Sequence, residues 1–191
     1  MRVRWIAAAL TLALCFSLAA CGHPPVSEEQ EEKLPILRIG NDDYEPYSYL
    51  DETGDFTGID VDLAKEACRR LGYRPEFHPV VWENKDQELA AGNIDCLWGS
   101  FTMTGREDLY QWAGPYLYSR QVVVVRADSD IATLADLAGK RVAVQATSKP
   151  ETVFLERPEP ERVPKVGEVY CFSSMEEVYS AIRKDFVDAI A

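Results

Sequence analysis

The chain has 191 residues, 47% hydrophobic and 27% charged, with 20 basic and 32 acidic side chains and a net charge of −12. That apolar content supports a real core and allows one domain or two small ones. The acidity excludes an extended basic groove for nucleic acid, leaves room for a local positive site, and is accounted for by ordinary solubility.

The first residues carry a sharp signal. "MRVR" supplies positive charge, and residues 5–20, "WIAAALTLALCFSLAA", form an uncharged apolar run. That run is shorter than the roughly 20 residues a membrane-spanning helix needs. Pro and Glu follow where a stop-transfer segment would carry Lys and Arg, so residues 1–20 read as an export signal peptide. "LAAC", ending at Cys21, resembles the bacterial lipobox, whose Cys becomes a lipidated N-terminus. The competing reading is an ordinary secretory signal with an incidental Cys. Lipidation of Cys21 would hold the protein outside the cytoplasm, anchored to the cell membrane by acyl chains. Residues 21–34 then form a Pro- and Glu-rich flexible tether.

From residue 35 a β–α–β–α–β run is predicted. "PILRIGND" is a strand, "YEPYSYLDETGDFTG" a loop and turn region, and "IDVDLAKEACRRLGY" a helix. Its stripe is Val61, Leu63, Ala64, Ala67, Cys68 and Leu71, with Asp60 as its cap and Gly72 as its stop. "PEFHPVVW" is a second strand, "KDQELAAGNI" a short helix and turn, and "DCLWGSF" a third strand. This alternation favours a mostly parallel sheet with covering helices, with ligands at the carboxyl ends of its strands. "YSRQVVVVRADS" reads as one long strand able to leave one sheet and enter another.

After it the pattern restarts. "TLADLAG" is a helix, "KRVAVQA" a strand, "SKPETVFLER" a helix, "EVYCFSS" a strand, "MEEVYSAIRKD" a helix and "FVDAIA" the start of a strand. The restart divides the chain into lobe 1, residues 35–122, and a partial lobe 2, residues 123–191. "LAAGNIDCL" and "IRKDFVDAI" echo each other, each with an Asp just before an apolar strand start. Two similar halves and a chance likeness of helix–turn–strand junctions both explain that echo. A last strand with so little sequence behind it leads us to expect a fragment of a longer chain.

Catalytic patterns are absent. The two histidines, His23 and His78, lie in the tether and in a strand, and there is no GxSxG and no Gly-rich phosphate loop. Cys68, Cys96 and Cys171 show no metal-ligand spacing; buried free thiols or one disulfide both fit them. No cofactor is implied.

Binding is better supported. Tyr44, Tyr47 and Tyr49 cluster after the first strand and Trp82 after the second, suited either to lining a pocket or to covering the core. "GSFTMTGRED" sets Ser100, Thr102, Thr104 and Arg106 at a strand end, either as a solvated turn or as a carboxylate clamp. "VQATSKPE" places Thr147 and Ser148 at a helix start, where hydroxyls cap the helix and also suit an anion.

Several segments in this order, "GIDVDLAKEACRRLGY", "LAAGNIDCLWGSFTMTGRED", "WAGPYLYSRQVVVV" and "LADLAGKRVAVQATSKPE", resemble the family 3 extracellular solute-binding proteins of bacterial ABC importers. The resemblance covers about residues 35–191. It implies an α/β, two-lobed, periplasmic-binding-protein-like (type II) fold that closes on an amino acid or similar small polar solute. The second lobe and the return segment would be incomplete here. It also implies an ABC transporter permease as partner, a monomer, and no enzymatic activity. By motif position it implies ligand contacts from Asp42, Tyr44, Tyr47, Trp82, Ser100, Thr102, Arg106, Thr147 and Ser148.

The family's Thr-x-Thr-x-x-Arg spacing is one residue shorter in "TMTGR". Arg106 therefore either reaches the ligand because Gly105 relaxes the turn or pairs with Asp108. The acid that holds the ligand amine in this family would lie just past "VDAIA". Two other readings stand beside the receptor: a dehydratase-like enzyme on the same fold, using Asp42 or Asp43 as proton carrier, and the extracellular sensor domain of a signalling receptor.

Overall fold

The computed structural model describes residues 32–191. The export signal, Cys21 and most of the tether lie outside the described residues.

Strand β1 (Ile36–Asn41) is the centre of the first sheet, flanked in parallel by β4 (Arg74–Pro79) and β5 (Cys96–Leu97). Between β1 and β4 the chain forms a short antiparallel hairpin, β2 (Tyr49–Leu50) and β3 (Phe56–Thr57), where the sequence suggests only loop. Asp51 closes its turn by accepting the N–H groups of Thr53 and Asp55. Helix α1 (Ile59–Leu71) then sets Ala64 and Cys68 against Ile39, in a core completed by Leu37, Phe77, Cys96 and Trp98.

The expected stop of α1 is present. Gly72 adopts φ 75° and returns its N–H to the carbonyl of Cys68, a left-handed turn that glycine makes without steric cost. The expected cap is not. Gly58 occupies the N-cap with no side-chain bond, and Asp60 is buried within the first turn. The buried face is also narrower than the apolar stripe: Leu63 and Leu71 are 39% and 71% exposed. A three-stranded sheet covers only one side of that stripe.

The second sheet has the order β6–β9–β7–β8. Its centre, β7 (Arg141–Gln145), pairs in parallel with β8 (Glu168–Phe172) and β9 (Ala189–Ile190), and β6 (Val124–Val125) runs antiparallel to β9. Alternation along β7 feeds two cores. Val142 and Val144 pack with Leu137 and Phe154, and Ala143 packs with Val178, Ile182 and Val187. Fully burying each of these valines stabilises the fold by about 1.5–3 kcal/mol.

The long strand expected around "QVVVV" shrinks to Val124–Val125. An extended segment becomes a strand only where a partner backbone meets it, and β9 offers two paired residues; Val122 remains 63% exposed. Helices α2 (Lys85–Ala91), α3 (Lys149–Leu155) and α4 (Met175–Arg183), with short 3-10 helices at Trp82–Asn84 and Leu134–Leu137, complete the described elements. Ser174 and Glu177 close a capping box at the start of α4. Cys68, Cys96 and Cys171 are free thiols.

The echo noticed in sequence corresponds to a repeated device. In the first sheet Asp95 accepts the backbone N–H of Arg38 at 2.8 Å and its guanidinium at 3.0 and 2.6 Å. In the second Asp188 accepts the N–H of Arg141 at 2.8 Å and its guanidinium at 3.1 and 2.7 Å. Each aspartate returns its own N–H to the arginine's carbonyl. The next residues pair in the same register, Ile39 with Cys96 and Val142 with Ala189.

Candidate functional site

The segments that leave the carboxyl ends of β1, β5 and β7 meet around a cavity of ≈ 110 Å³. Seven of the nine residues expected at the ligand line it: Asp42, Tyr44, Trp82, Ser100, Thr102, Arg106 and Ser148. Tyr47 stands behind Tyr44, the rings stacked at 5.5 Å. Thr147 is likewise a supporting residue, held by two cations described below.

In the turn "TMTGR" the Arg106 side chain lines the cavity rather than pairing with Asp108. Gly105 adopts φ +76°, and the Arg106 guanidinium turns inward, donating to the carbonyl of Thr147 at 3.0 Å and to that of Thr102 at 3.4 Å. Its carbon lies 5.1 Å from the centre of the Phe101 ring. No ion pair with Asp108 forms. Trp112 fixes the backbone from outside, donating its indole N–H to the Arg106 carbonyl at 3.1 Å. Burial pushes the Arg106 pKa down, yet a guanidinium remains charged at neutral pH.

An aromatic cluster forms one wall. Phe101 meets Trp82 and Tyr110 edge-on at 5.1 and 5.0 Å and lies tilted against Trp112 at 5.2 Å. Each such pair adds about 0.5–1.5 kcal/mol beyond its buried area, which makes this wall rigid.

Two hydroxyl residues hold left-handed backbone, Ser100 at φ 51° and Thr147 at φ 56°. Such conformations cost about 1–3 kcal/mol each and persist where neighbours enforce them. The enforcers are carboxylates: Ser100 N–H donates to Asp60 at 2.6 Å, and Thr147 N–H donates to Glu151 at 2.8 Å. This explains the burial of Asp60. It is spent on shaping the Ser100 turn rather than on capping α1, and burial raises its pKa. Ser148 caps α3, its hydroxyl accepting the Glu151 N–H at 3.4 Å.

Four residues at or beside the cavity were not singled out by sequence reading. Phe101, Gln145 and Lys149 line it. Gln145 donates through its amide nitrogen to the Asp42 carboxylate, joining the end of β7 to the end of β1. Burial raises the Asp42 pKa, with the Gln145 bond working against it. Lys85, which reads in "WENKDQ" as a solvated helix residue, is 3% exposed. Its ammonium donates to the Thr147 hydroxyl at 2.9 Å and the Trp82 carbonyl at 3.3 Å, and burial lowers its pKa. No local pattern marks these four; each is placed by the approach of distant segments.

The arrangement can hold a small polar solute through a guanidinium, hydroxyls and aromatic faces. His78 pairs with Glu76 on β4, away from the cavity lining. Among the described residues no group of three His, Cys, Asp or Glu side chains is placed to hold a metal.

The profile of the bacterial extracellular solute-binding proteins, family 3, matches residues 37–190. The chain belongs to this family. Family relatives include the L-cystine-binding protein TcyA of Bacillus subtilis, 32% identical over 146 residues, which are 69% of this chain and 54% of TcyA. Two further curated relatives are covered to 55% and 56%, so the chain spans just over half the length of these relatives. Among solved structures, an ancestral arginine-binding protein bound to arginine superposes with TM-score 0.73 at 31% identity, covering 81% of this chain and 68% of that one. The ancestral amino acid-binding protein AncCDT-1, a precursor of cyclohexadienyl dehydratase, superposes with TM-score 0.71 at 30% identity, covering 81% and 68%. The chain accordingly has the α/β type II fold of periplasmic binding proteins.

Proposed function

We propose that this family 3 chain is the solute-binding component of an ABC importer, taking an amino acid or similar small polar solute from outside the cytoplasm. The observation that carries the reading is the inward-turned Arg106, set beside Ser100 and Thr102 in a cavity walled by aromatics. A guanidinium fork flanked by hydroxyls matches an α-carboxylate. The two sheets act as lobes, residues 35–122 and 123–191, and a solute touching both favours closure through its differential affinity. Residues 1–20 direct export, a lipid on Cys21 anchors the chain, and residues 21–34 give reach; the working unit is a monomer facing a permease. Thermal denaturation of the chain against a panel of amino acids tests this. A midpoint raised in a concentration-dependent way by one of them supports it, and no shift with any of them overturns it.

A second reading, an enzyme on the same fold, is favoured by the likeness to AncCDT-1 and by the half-buried Asp42 carboxylate lining the cavity. Proton transfer needs a carboxylate free to meet substrate, and Asp42 is already an acceptor for Gln145. Unchanged solute after prolonged incubation, followed by mass spectrometry, separates the receptor from the enzyme.

A further inference from the structure

We infer that Lys85 is a positioning residue for closure: its buried ammonium, on the first sheet's side, holds Thr147 of the second sheet's side against the Trp82 carbonyl and so latches the two together. This rests on the reading of the two sheets as lobes that close.

The observation is a lysine in an unfavourable place on two counts. Lys85 is 3% exposed, and lysine is almost never buried without partners. It is also the first residue of α2, where free N–H groups disfavour a cation. Filling the space behind Trp82 would be served better by leucine or methionine. The compensation comes from a distant segment. The Thr147 hydroxyl accepts from the ammonium at 2.9 Å and itself donates to the Trp82 carbonyl at 3.4 Å. Lys85 donates to that same carbonyl at 3.3 Å, and its nitrogen lies 5.1 Å from the centre of the Trp82 ring. Ammonium, hydroxyl and carbonyl thus close a triangle across the gap between the lobes.

The charges around this triangle are balanced. Burial and Arg106 work against the ammonium, while Asp86, 4.0 Å away, and Glu151 work for it. Its role is therefore to fix where Thr147 stands.

Thr147 is the matching oddity. Its side chain is β-branched, yet its backbone is left-handed at φ 56°, a region such residues rarely enter. All of its hydrogen-bonding groups are engaged. Glu151, on its own lobe, accepts the N–H and sets the turn. Arg106 donates to the carbonyl and Lys85 to the hydroxyl, both from the other lobe. Arg106 also lines the cavity, so a solute can draw on it. Lys85 stands beside the cavity, out of the lining, and its grip on Thr147 is the one a solute leaves in place.

The test is hydrogen–deuterium exchange read by mass spectrometry on the chain alone, for the parent, Lys85→Met, Thr147→Val and the double variant. Each single substitution keeps the size of the side chain and removes one end of the bond. The expected pattern is crossed. Lys85→Met speeds exchange at residues 146–149 and Thr147→Val speeds it at residues 82–86, each by roughly tenfold, as loss of a hydrogen bond to a charged group implies. The double variant adds little to either, and Thr147→Ser, which keeps the hydroxyl, exchanges like the parent. A lysine that only packs Trp82 would loosen residues 82–91 in Lys85→Met and leave 146–149 as they are; that outcome, or effects that simply add in the double variant, overturns the inference. If circular dichroism shows Lys85→Met unfolded, Thr147→Val decides, and unchanged exchange at 82–86 in that variant overturns it. Because no solute is present, failure of the latch leaves the solute-binding function standing. A crossed pattern together with no thermal shift from any amino acid overturns that function and keeps the latch.

Discussion

Gln145 donates its side-chain amide to the carboxylate of Asp42, and the two residues hold the same place in their sheets. Asp42 follows Arg38, and Gln145 follows Arg141, by the same number of positions, and each arginine is clamped by an aspartate at the mouth of a parallel strand. The contact that joins the sheets at the cavity is therefore a meeting of equivalent positions. Around it the cavity is unsymmetrical: the first sheet contributes the arginine and the aromatic wall, the second contributes Ser148 and Lys149.

Arg106 is the first residue to change. Arg106→Ala removes charge-assisted bonds worth about 2 kcal/mol, so the solute found by the amino-acid panel should bind roughly 30-fold more weakly. Titration calorimetry measures this. Unchanged affinity would show that the guanidinium serves only to hold the Thr147 and Thr102 carbonyls.

Gly105→Ala tests the shortened turn. At φ +76° an alanine is strained by about 1 kcal/mol, and its methyl would displace the Lys149 ammonium. Urea unfolding should show that loss of stability. A variant as stable as the parent would contradict it.

The two clamps predict a pH dependence. Hydrogen bonding to Arg38 holds the Asp95 carboxyl below the ordinary 3.8, and hydrogen bonding to Arg141 does the same for Asp188. A lowered folded-state pKa means stability that is present above 3.8 and lost as pH falls through the lowered value. Asp95→Asn should therefore destabilise most at neutral pH, and the gap between variant and parent melting points should narrow below that value. A gap independent of pH would mean that the clamp works through shape alone.

Asp60 has the opposite sign. Burial raises its folded-state pKa, so its ionisation costs stability as pH rises from 3.8 through the raised value. Asp60→Asn, which keeps an acceptor for the Ser100 N–H, should gain on the parent as pH climbs from about 4 to 7. Melting points across that range decide it; a variant that falls behind the parent as pH rises would refute the assignment.

Much of the framework was readable from local pattern. Gly72 ends α1 because a left-handed turn has a residue type, and Ser148 caps a helix for the same kind of reason. β1 and β7 announce themselves as short apolar runs before polar loops. The failures are non-local. "QVVVV" has the composition of a strand, but pairing is decided by what lies opposite, and only two residues of β9 do. Lys85 looks like a solvated helix residue and Asp60 like a helix cap until Thr147 and Ser100, distant in sequence, arrive as their partners. At the cavity, Arg106 and the hydroxyls were legible as a motif. Gln145 and Lys85 were not, since each is placed by a partner distant in sequence, Asp42 and Thr147, and Lys149 was not, since only the fold brings it to the cavity.

The repeated arginine–aspartate clamp divides the chain's positions into two kinds. Where the two copies agree, as at Arg38 and Arg141 or Asp95 and Asp188, the residues maintain a shared plan. Where they have diverged, as at Asp42 against Gln145 or Tyr44 against Thr147, the copies meet at or beside the cavity. An identical pair at the first of these would set two carboxylates face to face, or two amides with no net charge between them; the mixed pair supplies one donor and one acceptor. An engineer seeking a new solute should vary the diverged positions together and leave the agreeing ones alone.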